Sequence, residues 1–258
     1  MILVIDIGNT NTVLGGMEEE QLRFTLRIQS DRLKTADEYM LTVKGLLELK
    51  GVDAARIEGG IISSVVPELR TVMGQAMEKL TGKRFLVVGS GVETGLDIKV
   101  DNPSQLGADL VVDAVAALSK YKPPLVFFDM GTATTMSVID RHGSYIGGMI
   151  IPGLRLSVDA LSARAAQLPY INLDGPERLI GTNTVSSMQA GAVYSSAAMI
   201  DGLLERVEEE LGGPVTATAT GGLMAKVLPY CRREIHYDEN LMLEGLEILY
   251  RKNCGGKM

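Results

Sequence analysis

The stretch Ile2–Thr10 reads ILVIDIGNT, an apolar run that stops at an aspartate followed two residues later by a glycine. The stretch Leu125–Thr134 reads LVFFDMGTAT and repeats this arrangement 123 residues further on. Each apolar run predicts a buried strand, and each Asp-x-Gly predicts the turn that ends it. Glycine lets the backbone approach an anion, and the N–H and hydroxyl groups after it donate hydrogen bonds to phosphate oxygens. We therefore expect two phosphate-binding hairpins that face each other across a cleft, an arrangement typical of nucleotide-dependent phosphotransferases.

The aspartates of the two turns, Asp6 and Asp129, are candidate cation ligands. A carboxylate repels phosphate, but it can hold a cation, or a water on that cation, that bridges to the phosphates. The structural alternative is that Asp6 caps N–H groups at a strand end and that Asp129 belongs to an ordinary Asx or Ser/Thr turn. The repetition of the motif favours the functional interpretation.

The composition of the chain limits its class. Its 258 residues fit two modest domains, and a hydrophobic content of 46% is enough for buried cores. The net charge is −7 and no Lys/Arg cluster stands out, so nucleic acid and anionic membrane surfaces are not expected partners. No apolar stretch approaches the ~18 residues of a membrane span, and no signal peptide is expected. Two cysteines, Cys231 and Cys254, make no disulfide framework and suit a reducing cytoplasm.

The pattern along the chain predicts the same order of elements in both halves. Three strands come first, and helices then alternate with two further strands. Three antiparallel strands followed by α/β alternation predict mixed sheets with helices on their faces. The Pro-containing connection Lys120–Pro124 marks the boundary, so the expected domains are residues 1–120 and 121–258.

The individual elements are predicted from hydrophobic periodicity, caps and turn residues. The predicted strands are Ile2–Ile7, Thr10–Met17, Gln21–Gln29, Gly59–Val66, Phe85–Val88, Leu125–Phe128, Thr134–Ile139, Tyr145–Ile151, Val215–Ala219 and Glu234–Tyr237. The predicted helices are Ala36–Leu49, one that starts at Pro67, one that follows Gly153, Val185–Leu211, Leu223–Leu228 and Leu241–Lys252.

A set of short motifs, in order along nearly the whole chain, resembles that of type III pantothenate kinases. The motifs are DIGNT at 6–10, GAD at 107–109, DMGTAT at 129–134, GGMIIPG at 147–153, GTNT at 181–184, TGG at 220–222 and LMLEG at 241–245. The doubled halves resemble the superfamily of acetate and sugar kinases, heat-shock chaperones and actin. This resemblance implies an α/β fold of two tandem ribonuclease H-like domains, with mixed sheets flanked by helices and a cleft between the domains.

The resemblance also implies an activity. The reaction would be the ATP-dependent phosphorylation of pantothenate to 4′-phosphopantothenate, the entry step to coenzyme A. The implied cofactors are ATP, Mg²⁺ and a monovalent cation, either potassium or ammonium. The implied assembly is a homodimer with its active site at the subunit interface.

The roles of individual residues follow from the same resemblance. Asp109 is the expected general base for the pantothenate hydroxyl, Asp6 holds Mg²⁺ and Asp129 holds the monovalent cation. The residues expected to bind ATP are Asp6, Gly8, Asn9, Thr10, Gly131, Thr132, Thr134, Gly221 and Gly222. The residues expected on the pantothenate side are Gly107, Ala108, Asp109, Leu110, Gly148, Pro152, Gly153 and Thr184.

Most of these residues also have a structural interpretation. Asp109 would suit the start of a helix, where the macrodipole favours negative charge. Gly221-Gly222 would suit a tight strand-to-helix turn, and Thr184 the N-cap of the long helix that follows. Gly148 and Pro152-Gly153 would simply end a strand.

Two positions depart from the family pattern. Leu110 directly follows Asp109, where the family usually carries Arg. Val100 precedes Asp101-Asn102-Pro103, where the family usually carries Tyr. By resemblance both would face pantothenate, and losing an Arg that meets a carboxylate removes ~1.5–3 kcal/mol.

These departures leave three functions open. The protein is a pantothenate kinase, a kinase for another substrate (another small hydroxyl compound, or a substrate such as those of the sugar and acetate kinases), or a non-catalytic nucleotide-binding regulatory paralogue. The intact Asp109 favours a kinase, and the two substitutions favour an altered pocket. Arg155 and Arg164 are candidates to replace the missing charge.

Overall fold

The computed structural model of the protein describes residues 1–255. The chain forms two compact units. The first unit contains Met1–Leu96, Asp101–Ser119 and the chain from Asn240 onward, and the second contains Asp97–Val100 and Lys120–Glu239. Each unit is built on one mixed sheet, which confirms the predicted α/β class.

The sheet of the first unit has five strands in the order β3-β2-β1-β4-β5. The strands are β1 Ile2–Ile7, β2 Asn11–Glu18, β3 Gln21–Gln29, β4 Gly59–Ser64 and β5 Leu86–Val87. The central strand β1 is antiparallel to β2 on one side and parallel to β4 on the other. The predicted strands of this half are therefore all present, with ends that shift by one or two residues.

The sheet of the second unit has six strands in the order β11-β10-β7-β8-β9-β6. The strands are β6 Asp97–Ile98, β7 Leu125–Met130, β8 Ala133–Ile139, β9 Ser144–Pro152, β10 Thr216–Thr220 and β11 His236–Tyr237. Here β7 is antiparallel to β8 and parallel to β10, so it repeats the position of β1. The short edge strand β6 was not predicted, because two residues are too few to show a periodic pattern.

Seven α-helices occur among residues 1–255: α1 Ala36–Leu49, α2 Pro67–Thr81, α3 Ala108–Lys120, α4 Leu154–Arg164, α5 Thr184–Leu211, α6 Met224–Val227 and α7 Leu241–Cys254. Helix α1 begins as predicted, with a capping box between Thr35 and Glu38. Helix α3 was not predicted as an element, although Asp109 was noted as suited to a helix start; its residues 111–117 are all buried. None of the helices within residues 1–255 is both long and apolar enough to span a bilayer.

The two faces of the first sheet bury different clusters, because successive side chains of a strand point to opposite faces. Leu3, Ile5 and Ile7 of β1 pack with residues of α1 and α2. Val4 of β1 and Ile61 of β4 pack with residues of α3 and α7. The residues of β1 that share the face of Val4 therefore lie on the side of α3.

Helix α7 packs with the first unit, although residues 121–258 were the expected second domain. Leu243, Leu246 and Leu249 of α7 join the cluster that contains Val4. A Cβ atom at Gly245 would collide with the carbonyl oxygen of Val112, so this glycine allows α7 to lie directly against α3. The last helix thus covers the first sheet, a long-range contact that a linear division of the sequence cannot reveal.

Candidate active site

The first Asp-x-Gly turn joins β1 to β2. The backbone N–H of Gly8 donates to the carbonyl oxygen of Asn11 at 3.0 Å and closes the turn. The chain after β3 supports this turn, because the N–H of Ser30 donates to the carbonyl oxygen of Thr10 at 3.0 Å. Nη2 of Arg32 donates to Oδ1 of Asn9 at 3.4 Å. Arg32 places a positive charge beside the turn, a feature that the motif search did not identify.

The second turn joins β7 to β8 and is one residue shorter. Ile7 pairs with Thr12 across the first turn, whereas Met130 pairs with Thr134 across the second. The N–H of Gly131 donates to the carbonyl oxygen of Ala133 at 3.0 Å. Asn9 and Thr10 of the first turn and Gly131 and Thr132 of the second are exposed at the surface.

The strand register decides which side chains share a face with each aspartate, because paired residues of neighbouring strands point to the same side. Asp129 is paired with Thr135 of β8 and with Thr220 of β10. Thr134 is paired with Met130 and therefore points to the opposite face from Asp129. The sequence motif identified Thr134, but Thr135 is the threonine that neighbours the carboxylate.

Asp6 occupies the same position in the first sheet. It is paired with Val13 of β2 and with Ser63 of β4. Sequence reasoning missed Ser63, because the partner of a parallel strand lies far away in the chain and no local pattern predicts it.

Two hydroxyl groups beside these aspartates are buried without a hydrogen-bond partner among residues 1–255: Oγ of Ser63 and Oγ1 of Thr135. Ser63 is 0% exposed. A buried polar group without a partner destabilises the folded state unless it gains one, so these two atoms are candidates for contact with a bound group.

The predicted glycine turn after β10 lies against the second Asp-x-Gly turn. Gly221 has a φ of +94°, and a Cβ atom there would lie 2.6 Å from the backbone nitrogen of Met130 and 2.7 Å from Oδ1 of Asp129. A Cβ atom at Gly222 would have no atom within 4 Å. Gly221 is thus required by the fold of the site, and Gly222 leaves open space.

Gly153 packs on the other side of the second turn. A Cβ atom there would collide with the carbonyl oxygen of Thr132 and lie 2.8 Å from that of Gly131. Gly153 is also the N-cap of α4, with no side-chain cap of its own. Helix N-termini carry unpaired N–H groups and partial positive charge, so the start of α4 adds an anion-binding feature beside this turn.

A cavity of about 710 Å³ lies in the second unit, between β8, β9, α4 and α5. It brings together three of the predicted site residues, Thr134, Pro152 and Thr184. The rest of its lining is largely apolar, with serine hydroxyls and without Lys or Arg: Ile151, Leu154, Ser157, Val158, Leu161, Leu168, Ser187, Met188, Gly191, Ala192, Ser195, Ser196 and Met199.

Thr184 lacks the capping role that its position suggested, whereas Gly148 is required by strand packing. The N-cap of α5 is Asn183, whose Oδ1 accepts from the N–H of Ser186 at 2.9 Å. Thr184 is therefore the first residue of the helix and is not its cap. Gly148 does not line the cavity, and a Cβ atom there would collide with the carbonyl oxygen of Met136 on the neighbouring strand.

Asp109 is the second residue of α3 and is half-buried. Its Oδ1 accepts from the N–H of Leu110 at 2.9 Å, as expected for an acid in the first turn of a helix. A Cβ atom at Gly107 would collide with Oδ1 of Asp109, so Gly107 makes room for this carboxylate. Burial raises the pKa of Asp109, although the backbone N–H groups of Leu110 and Asp109 lower it in part. The structural and the catalytic interpretation of Asp109 are therefore compatible.

The sequence of residues 2–206 matches the family described as type III pantothenate kinase. The chain belongs to this family. The type III pantothenate kinase of Exiguobacterium sp. is 46% identical over 253 residues, which are 98% of this chain and 99% of the relative. That of Moorella thermoacetica is 44% identical over 253 residues, 98% of this chain and all (100%) of the relative. These matches favour a pantothenate kinase over the sugar-kinase and regulatory alternatives.

Solved structures with the same fold are more distant in sequence. The activator of the 2-hydroxyisocaproyl-CoA dehydratase from Clostridium difficile, solved with bound ADPNP, has a TM-score of 0.58 at 12% identity, covering 98% of this chain and 93% of that chain. Component A of the (R)-2-hydroxyglutaryl-CoA dehydratase from Acidaminococcus fermentans has a TM-score of 0.56 at 13% identity, covering 98% of both chains. At this level of identity the structures show the fold alone. They confirm the predicted fold class of two ribonuclease H-like domains.

The positions that depart from the pattern of type III pantothenate kinases are both half-buried: Leu110 in α3 and Val100 after β6. Arg155, a candidate to replace the missing charge, is already engaged. Its Nη1 donates to the carbonyl oxygen of Ile171 at 3.0 Å and lies 3.7 Å from Oδ1 of Asp159.

The adjacent glycines of the turn after β10 give a matched pair of variants. We expect Gly221→Ala to lower the free energy of unfolding by ~1–3 kcal/mol, because alanine is strained at a positive φ and its Cβ would press on Asp129. Gly222→Ala, with open space around it, should change stability by less than ~0.5 kcal/mol. Urea denaturation followed by circular dichroism measures both, and equal effects of the two variants would contradict the assigned geometry.

Proposed function

We propose that this protein transfers the γ-phosphoryl group of ATP to the primary hydroxyl of pantothenate, giving 4′-phosphopantothenate and ADP, the first step of coenzyme A biosynthesis. The observation that carries this proposal is membership of the type III pantothenate kinase family across residues 2–206, in a chain with two Asp-x-Gly turns. Phosphoryl transfer depends mainly on positioning and on neutralising charge, and the residues described above serve these two needs.

The two turns would hold the phosphates. Gly8, Asn9 and Thr10 supply N–H and hydroxyl groups in the first turn, and Gly131 and Thr132 supply them in the second. The start of α4 adds N–H groups beside the second turn, and the guanidinium of Arg32 adds charge beside the first. The turn Gly221-Gly222 would lie on the adenosine side, where its backbone permits a close approach.

The residues beside Asp6 fit a hydrated Mg²⁺ ion. Mg²⁺ usually keeps several waters and is bound through one or two carboxylates and the substrate phosphates, and Asp6 with the buried hydroxyl of Ser63 offers such a setting. Among residues 1–255 no three His, Cys, Asp or Glu side chains converge on one point, in agreement with an ion held largely by water and phosphate. When bound, Mg²⁺ would neutralise phosphate charge.

The residues beside Asp129 fit a monovalent cation, potassium or ammonium. The carboxylate has two in-register hydroxyl neighbours, Thr135 and Thr220, and Oγ1 of Thr135 is buried without a partner in the described chain. A less hydrated cation needs several oxygen ligands from the protein, and this group of side chains offers them.

The residues proposed for the acceptor side fall in separate units: Asp109 in the first unit and the cavity in the second. Asp109 would take the proton of the pantothenate hydroxyl. Its neighbours in the sequence, Gly107, Ala108 and Leu110, would lie on the same side of the substrate. The apolar lining of the cavity suits the dimethyl group and aliphatic chain of pantothenate, while Thr184 and the serines suit its amide. The wall of the cavity includes Pro152. The next residue, Gly153, packs against the second Asp-x-Gly turn.

We also propose a homodimer with its active site at the interface, located in the cytoplasm. Exposed large apolar side chains concentrate on the elements around the cavity: Met149, Ile150, Leu156, Leu161, Tyr170, Leu179, Ile180 and Val185. Such a concentration marks an interaction surface. The proposed location in the cytoplasm has separate support. Cys231 and Cys254 are free thiols, as suits a reducing compartment. Recovery of the protein outside the cytoplasmic fraction would contradict this location.

The dimer proposal predicts the effect of charge on this surface. Ile150 is 80% exposed, and Ile150→Glu should convert the dimer to a monomer at micromolar concentration because a carboxylate would be buried without a partner. Leu33→Glu, at a position 92% exposed in the first unit, is the matched control and should leave the mass unchanged. Sedimentation equilibrium measures both masses, and a monomeric wild-type protein would contradict the dimer.

Substitution of the proposed base gives the main test of the function. Wild-type protein should form 4′-phosphopantothenate from pantothenate and Mg²⁺–ATP, and Asp109→Asn should lower kcat by ~10²–10⁴-fold because the hydroxyl proton has no acceptor. Mass spectrometry of the product, with and without potassium or ammonium, measures this. Stabilisation by ADP should persist in the variant. Absence of product from the wild-type protein would overturn the proposed function.

The raised pKa of Asp109 gives a second readout in the same assay. The carboxylate must be ionised to accept a proton, so kcat should fall as the pH drops through a pKa above the ordinary value of ~3.9. Asp109→Glu should move this acid limb, whereas a limb set by protonation of ATP would stay in place.

The two departures from the family pattern predict weak pantothenate binding. The double variant Leu110→Arg with Val100→Tyr should lower the KM for pantothenate by roughly 10- to 100-fold, the equivalent of one charge-assisted contact with its carboxylate. Steady-state kinetics with varied pantothenate measures this KM. The variant Arg164→Ala is a control that tests whether Arg164 replaces the charge missing at Leu110. An unchanged KM in the double variant would count against this placement of the pocket.

A further inference from the structure

Two adjacent serines end strand β4, and their surroundings differ. Oγ of Ser64 donates to the carbonyl oxygen of Val66 at 2.8 Å and accepts from the N–H of Val66 at 3.0 Å. Oγ of Ser63 is buried and has no hydrogen-bond partner among residues 1–255. Ser64 thus has a local structural role, and the hydroxyl of Ser63 has none.

The register places Ser63 beside Asp6. β4 runs parallel to β1, and Asp6 is paired with Ser63 in the same way that Val4 is paired with Ile61. Neighbouring strands lie ~4.8 Å apart, so the side chains of a pair on one face are within reach of each other or of one shared water. Val4 and Ile61 belong to the cluster packed against α3 and α7. The pair Asp6 and Ser63 therefore continues that face toward the Asp-x-Gly turn.

The chemistry of a hydroxyl fits this position. Removing a hydroxyl from water without a partner is unfavourable, and a serine that served only for packing would be replaced by alanine without loss. A hydroxyl both donates and accepts, so it can bind a water of a cation while it faces a carboxylate. Mg²⁺ keeps most of its water ligands when it binds to a protein. Hydrogen bonds from side chains such as a serine hydroxyl to these waters orient them.

We propose that Ser63 is a positioning residue for the cation held by Asp6, with its Oγ bonded to a water of that cation when nucleotide is bound. This inference rests on the proposed function only in so far as a Mg²⁺–nucleotide binds at the first turn. It assigns Ser63 no contact with the reacting atoms.

The adjacent serines provide a variant and its matched control. In EDTA, Ser63→Ala should leave the melting temperature unchanged or raise it, because it removes a buried hydroxyl that has no partner. Ser64→Ala should lower it by about 2–4 °C, because two hydrogen bonds of the β4–α2 connection are lost. A structural hydrogen bond of the Ser63 hydroxyl, like those of Ser64, would predict a lowered melting temperature for Ser63→Ala as well.

The decisive measurement is the stabilisation of each protein by ADP in EDTA and in a Mg²⁺ titration, followed by differential scanning fluorimetry. Ser63→Ala should need at least about tenfold more Mg²⁺ for half of the maximal stabilisation, with the Mg²⁺-independent part unchanged. Ser64→Ala should keep the wild-type Mg²⁺ dependence. An unchanged Mg²⁺ dependence in Ser63→Ala would overturn the proposal, and so would a wild-type protein that Mg²⁺ does not stabilise further.

This measurement separates the proposal from the proposed function. A protein that forms no 4′-phosphopantothenate but loses its Mg²⁺ dependence with Ser63→Ala would retain the role of Ser63 and reject the substrate. A protein that phosphorylates pantothenate equally well with Ser63→Ala at limiting Mg²⁺ would retain the substrate and reject the role of Ser63.

Discussion

Each sheet depends on one arrangement of three strands, in which a central strand is antiparallel to the strand that follows it and parallel to a distant one. β1 lies between β2 and β4, and β7 lies between β8 and β10. This pairing brings the ends of three strands to one edge and puts an aspartate of the central strand between two in-register neighbours. Gly221 and Gly153 then pack against the second turn, where a side chain would not fit. The site is thus a consequence of strand register first and of individual side chains second.

The sequence alone was sufficient to predict the structure wherever a local pattern of residues decides it. The bounds of β1 and α1 follow from an apolar run and a capping box, and the Asp-x-Gly turns follow from their residues. It was insufficient wherever distant strands or helices meet. Thr135 was not singled out because the length of the turn, which sets the face of each threonine, is visible only in the strand pairing. The contact of α7 with the first sheet and the neighbourhood of Ser63 have the same cause.

The two halves repeat a topology without repeating its chemistry. Asp6 has one apolar neighbour, Val13, and one hydroxyl neighbour, whereas Asp129 has a hydroxyl on both sides. A carboxylate with few protein oxygens nearby suits a cation that keeps its waters, and one with several suits a cation that sheds them. The difference in neighbours therefore agrees with the proposed division, with Mg²⁺ at Asp6 and a monovalent cation at Asp129.

In the proposed placement of pantothenate, the departure at Leu110 affects substrate binding more than the chemical step. The carboxylate of pantothenate lies at the opposite end of the molecule from the hydroxyl that reacts, so a contact with it is equally strong in the bound substrate and in the transition state. Losing such a contact raises KM and leaves kcat nearly unchanged. The cavity proposed for the acceptor, whose lining has hydroxyls but no Lys or Arg, agrees with this weaker binding. A chain that retains Asp109 and both turns can therefore keep the phosphoryl-transfer machinery intact while it binds its acceptor weakly.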